Sequence, residues 1–148
     1  MSLFNPSRDQ VREFFFNTWL KFKQNQMLEG IEKIGVQVMQ MHPEYHVILD
    51  DSARYMHQQY FPEMGETNPF LHMSLHLSIL EQISINQPVG IVNIHQQLLM
   101  QHQDAHDAQH QLLDCLAETI WQAQHNKQPL DAERYMQLMQ QKVNLSKS

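Results

Sequence analysis

Residues 66–82, Glu66 to Gln82, read E-T-N-P-F-L-H-M-S-L-H-L-S-I-L-E-Q, and this stretch decides the fold. Asn68 can cap a helix, and Pro69 suits the first helical position, where a missing N–H leaves nothing unpaired. From Thr67 to Leu80 there is no Asp, Glu, Lys or Arg. Phe70, Leu71, Met73, Leu75, Leu77, Ile79 and Leu80 point to nearly every side of a helical turn. That pattern predicts a central helix over about 68–85, covered on most sides. His72 and His76 sit within it one turn apart on one face, a spacing from which two imidazoles can reach one metal ion.

Upstream, Phe61 to Thr67 carries Pro62 and Gly65 and reads as a loop. Asp50, Asp51 and Ser52 offer a cap for a short helix from Ala53 to about Tyr60. In His42-Pro43-Glu44-Tyr45-His46 the proline disfavours helical geometry at His42, placing it at a junction with His46 one turn into the next segment. A helix over about Leu28–Met41 carries Ile31, Ile34, Val38 and Met41 at helical spacing. Gly30 and Gly35 weaken it or admit a close neighbour. Asn5-Pro6 opens a first helix running to about Gln24. Its apolar face holds Val11, Phe14, Phe15, Trp19 and Phe22, and Arg8, Arg12, Lys21 and Lys23 take polar positions.

Downstream, Asn86-Gln87-Pro88-Val89-Gly90 is turn chemistry. A helix resumes at Ile91 and reaches His102, where Gln103-Asp104-Ala105 either breaks it or lets it run on. A long helix covers about Asp104–His125, with Leu112, Leu113, Leu116, Ile120 and Trp121 on its apolar arc. Asp131 caps a last helix to about Lys142, with Asn144–Ser148 frayed. Nothing reads as a strand and no repeat is evident. The expectation is an all-α, compact helical bundle of five to seven helices, one domain over residues 1–148.

Composition narrows the function. The 148 residues are long enough to bury a core without disulfides, and Cys115 stands alone, which excludes a disulfide framework or a cysteine zinc site. A formal charge of −6 argues against nucleic acid as a partner. A mean hydropathy of −0.51 and the lack of a long apolar run argue against a membrane. With Asn5, Pro6, Arg8 and Asp9 preceding any apolar run, the expected location is cytoplasmic. Between Arg54 and Lys127 there is no Lys or Arg, yet that interval holds eight of the ten histidines and seven carboxylates. Such a region has electrostatic room for a cation. The plainer alternative is that glutamine has replaced lysine on solvated faces.

Histidines four apart occur as His42/His46, His72/His76, His102/His106 and His106/His110. Random placement would give about 0.7 such pairs, so the spacing itself carries a signal. His72 and His76 align with Ile79 and Ile83, and His106 and His110 with Leu113, Ala117 and Trp121, so both pairs face inward. Buried imidazoles need hydrogen bonds or a metal at both ring nitrogens. Two inward pairs on two helices could converge on one transition-metal ion (Zn, Fe, Mn or Ni). Asp114, one turn beyond His110, could complete the set, and Glu44, Glu66 or Glu81 could act as supporting acceptors. The candidate ligands are therefore His72, His76, His106, His110, His42, His46 and Asp114. There is no Glu-x-x-His or His-Glu-x-x-His motif, and the spacing is similar instead to hemerythrin-type helical sites. Cys115 lies opposite His106 on its helix and reads as a small buried hydrophobe. Ser74 and Ser78 bond back to their own helix.

Four blocks taken together resemble one family: F-N-P-S-R-D-Q-V-R-x-F-F-F at Phe4–Phe16, H-P-E-Y-H at His42–His46, E-T-N-P-F-L-H-M-S-L-H at Glu66–His76, and A-Q-H-Q-L-L-D-C-L-A-E at Ala108–Glu118. The resemblance is to small bacterial proteins catalogued as domain of unknown function 1841, and it covers nearly the whole chain. It implies one intact bacterial domain and brings no activity, substrate or ligand with it. The residues themselves favour a metal-binding helical protein, with no residue identifying a reaction. The alternative is a non-enzymatic interaction or adaptor domain whose histidines are structural, with a protein partner or a second copy of the chain. A third reading is a pH-responsive bundle, destabilised as buried histidines charge in acid.

Overall fold

Asn68 starts the central helix in the expected way. Its Oδ1 accepts the N–H groups of Phe70 (3.0 Å) and Leu71 (3.2 Å), and Pro69 occupies the first turn of a helix that runs Pro69–Ile85. A computed structural model describes residues 7–146, all-α and without a strand among them. Numbered along the chain, the helices are α1 (Arg8–Lys23), α2 (Ile31–Gln40), α3 (His46–Leu49), α4 (Ser52–Tyr55), α5 (Pro69–Ile85), α6 (Ile91–His102), α7 (Ala105–His125) and α8 (Ala132–Ser146). Short 3-10 turns at Pro43–Tyr45 and Pro62–Met64 complete this helical bundle. No helix among the described residues is long and apolar enough to cross a membrane. Contacts divide the chain into two compact units, residues up to Leu77 and from Ser78 onward, and the division falls within α5.

In the first unit α1 packs on α2 and on α3. Asn5 and Pro6 lie outside the described residues. The observed cap is Ser7, whose Oγ accepts Gln10 N–H while the Gln10 side chain accepts Ser7 N–H. Three successive phenylalanines, Phe14 to Phe16, are all buried. Gly35 makes the α1–α2 approach: a Cβ there would meet the Phe14 ring at 3.2 Å. α2 begins three residues later than its periodicity suggests, because Gly30 takes φ +51 at its N-cap.

Two expectations fail in this unit. Arg12, read as a polar surface position, is 1% exposed. Its Nη1 donates to the carbonyls of Tyr55 (3.4 Å), Met56 (2.9 Å) and Gln58 (2.8 Å), and its guanidinium lies 4.7 Å from the Phe70 ring centroid. The helix expected over residues 53–60 stops at Tyr55, and those same carbonyls bond to Arg12 and Arg8 instead of continuing a helical ladder. A guanidinium offers five donors in a fixed fork, which lets it close an irregular segment that no side chain of the segment closes.

In the second unit α6, α7 and α8 pack pairwise around Ile94, Leu98, Leu112, Leu116, Met139 and Val143. The chain does break after His102: Gln103 is left-handed (φ +57), and Asp104 caps α7 by accepting His106 N–H at 2.9 Å. Tyr135, 2% exposed, donates its hydroxyl to Gln82 Oε1 at 2.7 Å. α8 runs on to Ser146, past the expected fraying at Asn144, because Val143 is fully buried and holds the last turn. Trp121, placed on the apolar arc of α7, is 57% exposed and stacks on His125 at 4.9 Å. On α5 Leu71 and Ile85 also face outward, while Phe70, Met73, Leu77 and Ile79 are buried, so its cover is less complete than its composition suggests.

Candidate metal centre

In the first unit, proline at 43 ends α2 and turns His42 out of helical geometry (φ −125, ψ 65). The turn drives its ring inward: His42 is 1% exposed and His76, on α5, is 0% exposed. His42 Nε2 and His76 Nδ1 stand 2.9 Å apart, and His42 Nδ1 stands 2.9 Å from Glu44 Oε1. An ionised carboxylate only accepts, so His42 Nδ1 carries the proton and donates to Glu44. In the neutral imidazole His42 Nε2 is then a lone pair, which accepts His76 Nδ1–H.

Two further rings border this pair. The His72 ring lies 4.7 Å from that of His42, nearly perpendicular, and 6.5 Å from that of His76. Tyr45 stacks on His42 at 5.3 Å, and burial followed by the charge of Glu44 pushes its phenol pKa up. His46 faces elsewhere. Its Nε2 donates to Met39 O at 2.7 Å, and its ring packs against Trp19 at 4.5 Å, where Trp19 Nε1 donates to Asp50 Oδ1 at 2.7 Å. This histidine ties α3 back to the end of α2. An open groove of about 440 Å³ along α1, bordered by Gln10, Glu13, Asn17, Lys21 and Glu32, contains no histidine among its lining residues.

In the second unit, the α7 cap at Asp104 places His106 and His110 one turn apart on one face. Their rings are 4.1 Å apart and their Nε2 atoms 3.0 Å apart. Both are half-buried, whereas Asp114, one turn further, is exposed. His102 ends α6, half-buried. Among the acids read as supporting acceptors, Glu44 holds a histidine. Glu66 Oε2 instead accepts Phe61 N–H at 3.0 Å, and Glu81 is half-buried with its carboxyl pKa raised by desolvation.

Each unit therefore brings a pair of imidazole nitrogens to about hydrogen-bonding distance. Such a pair is stable with one N–H between the nitrogens or with a cation bound by both lone pairs. Zinc–imidazole bonds of about 2.0–2.1 Å in a tetrahedron set the two nitrogens about 3.3 Å apart, a few tenths of an ångström more than seen here. The His42–His76 contact joins residues with no shared periodicity, and no sequence signal pairs them. What the sequence offered was His72/His76, on one helix.

Burial pushes the Cys115 thiol up to about 11, and Ser74 Oγ donates to Phe70 O at 2.7 Å. No curated protein and no solved structure matches the chain. A family profile does, over residues 7–141. On that match, which spans all the helices but the end of α8, the chain belongs to the family described as domain of unknown function (DUF1841).

Proposed function

We propose that this protein binds a transition-metal ion through paired histidines, His42 with His76 in the first unit and His106 with His110 in the second. The observation that carries the reading is the His42–His76 contact: two buried imidazoles nitrogen to nitrogen at 2.9 Å, with the other nitrogen of His42 held by a carboxylate. A carboxylate behind an imidazole is the usual support for a metal ligand. The His106–His110 pair supports it with the same nitrogen-to-nitrogen spacing on one helix face. All four donors are imidazole nitrogens, which suits Zn2+, Ni2+ or Fe2+ better than the oxygen-seeking Mg2+ or Ca2+.

The test is metal content by plasma mass spectrometry on untagged protein purified without chelator, beside His42→Ala/His76→Ala and His106→Ala/His110→Ala. Near-stoichiometric metal that falls in either variant supports the reading and tells which pair holds an ion. Metal halved in each variant would mean that each pair holds its own ion. Wild-type protein without metal, and without a melting shift on adding Zn2+, Fe2+, Mn2+ or Ni2+, overturns the reading. The paired imidazoles would then be structural hydrogen bonds, as in an interaction domain.

A further inference from the structure

We infer that Glu44 is the positioning residue of this centre: it fixes the tautomer of His42, so that Nε2 is presented as a lone pair. The inference rests on the metal reading for its consequence, but the positioning itself is visible in the first unit alone. Glu44 lies in the 3-10 turn Pro43–Tyr45, two residues beyond His42, with a side chain 55% exposed while that of His42 is 1% exposed. Its Oε1 takes His42 Nδ1–H at 2.9 Å. The turn is what makes so short a separation work. Pro43 forces His42 out of α2, Tyr45 N–H closes the turn on His42 O at 2.9 Å, and the Tyr45 ring stacks against the imidazole. The ring is thus oriented from one side by stacking and along its edge by the carboxylate.

The chemical consequence follows from the two nitrogens being inequivalent. An isolated neutral imidazole favours neither arrangement strongly, and in half of its microstates Nε2 would carry the proton and could bind no cation. A carboxylate at Nδ1 removes that ambiguity and raises the electron density on Nε2. Glu44 therefore prepares His42 Nε2, of the His42–His76 pair, to donate to an incoming ion.

The test uses the full chain with 15N-labelled imidazoles, in wild type, Glu44→Gln and Glu44→Ala, before and after titration with Zn2+. In metal-free protein the His42 signals should show Nδ1–H in wild type and in Glu44→Gln, whose amide oxygen still accepts, and in Glu44→Ala a shift toward Nε2–H, with the bond to His76 reversed so that His76 Nδ1 accepts. The Zn2+ dissociation constant should rise about 10–100-fold in Glu44→Ala and be largely restored in Glu44→Gln. An unchanged His42 tautomer in Glu44→Ala overturns the inference, as does a shifted tautomer with unchanged Zn2+ affinity. If wild type takes up no Zn2+, the metal reading fails by itself, and the tautomer of the metal-free protein still decides whether Glu44 orients His42. Because Glu44 is exposed, both variants should keep the wild-type helical circular dichroism, which serves as the folding control.

Discussion

The two histidine pairs are built by opposite means. His106 and His110 meet because a helix repeats every few residues, and any stable α7 would bring them together. His42 and His76 are 34 residues apart and meet only when α2 ends, the proline turn forms and α5 packs in place. Their surroundings differ in kind as well. The first unit buries Arg12, Thr18, His42 and His76, and its irregular segments are closed by polar bonds. The second buries mainly aliphatic side chains of α6, α7 and α8, and its buried Thr119 hydroxyl donates back to its own helix at Cys115 O. A helical pair is a local property that tolerates damage elsewhere. A packed polar pair reports on the integrity of everything that holds it.

This contrast can be broken at several points. The largest effect is expected from His42→Ala/His76→Ala in metal-free protein, where two buried, mutually bonded side chains are lost. Urea unfolding should show about 3–5 kcal/mol of destabilisation, and a loss under about 1 kcal/mol would mean that the pair is not packed as described. Leu112→Ala, at a fully buried position in the second unit, should lower stability by about 2–4 kcal/mol by leaving a cavity. Arg12→Met keeps the stem and removes the donors to three carbonyls, with about 2–3 kcal/mol lost and faster amide exchange over residues 55–60. His106→Ala/His110→Ala should stay within about 1 kcal/mol of wild type without metal, since alanine favours the helix and the pair is only half-buried.

The smallest effect concerns Cys115. Its thiol is raised to about 11 by burial, above the unfolded value of about 8.5. The folded state therefore holds the proton more tightly. That contribution to stability is complete below about pH 8.5 and is lost as pH rises through about 11. A Cys115→Ala variant should show a flatter decline of unfolding midpoint between pH 8 and pH 10.5 than wild type. Parallel declines would show that the thiol is not perturbed.

Most of the helical architecture was legible because it rests on local chemistry. Asn68-Pro69 and Asp104 announce helix starts, and Asn86 to Gly90 announces a stop, in terms of groups within a few residues. The end of α4 at Tyr55 was not legible, since it depends on carbonyls being taken by arginines more than forty residues earlier. Arg12 itself was misread because charge predicts exposure except where carbonyls surround the charge. Trp121 was misread in the other direction, as a large apolar residue at the edge of an arc that stacks on His125 in the open. For the centre, helical spacing found His106 with His110 and marked His76, and the proline marked His42 as unusual. Their pairing needed three dimensions.

The exposed stretch between α3 and α5 also bears on how the chain comes apart. Arg54 is exposed there and is the last trypsin target before Lys127. A cut after it would separate residues 1–54 from residues 55–148, with eight of the ten histidines on the second piece and His42, with His46, on the first. The link between His42 and His76 would then be purely noncovalent. Whether the nicked protein elutes as one species or two would measure how firmly Arg12 and the imidazole contact clasp the two fragments.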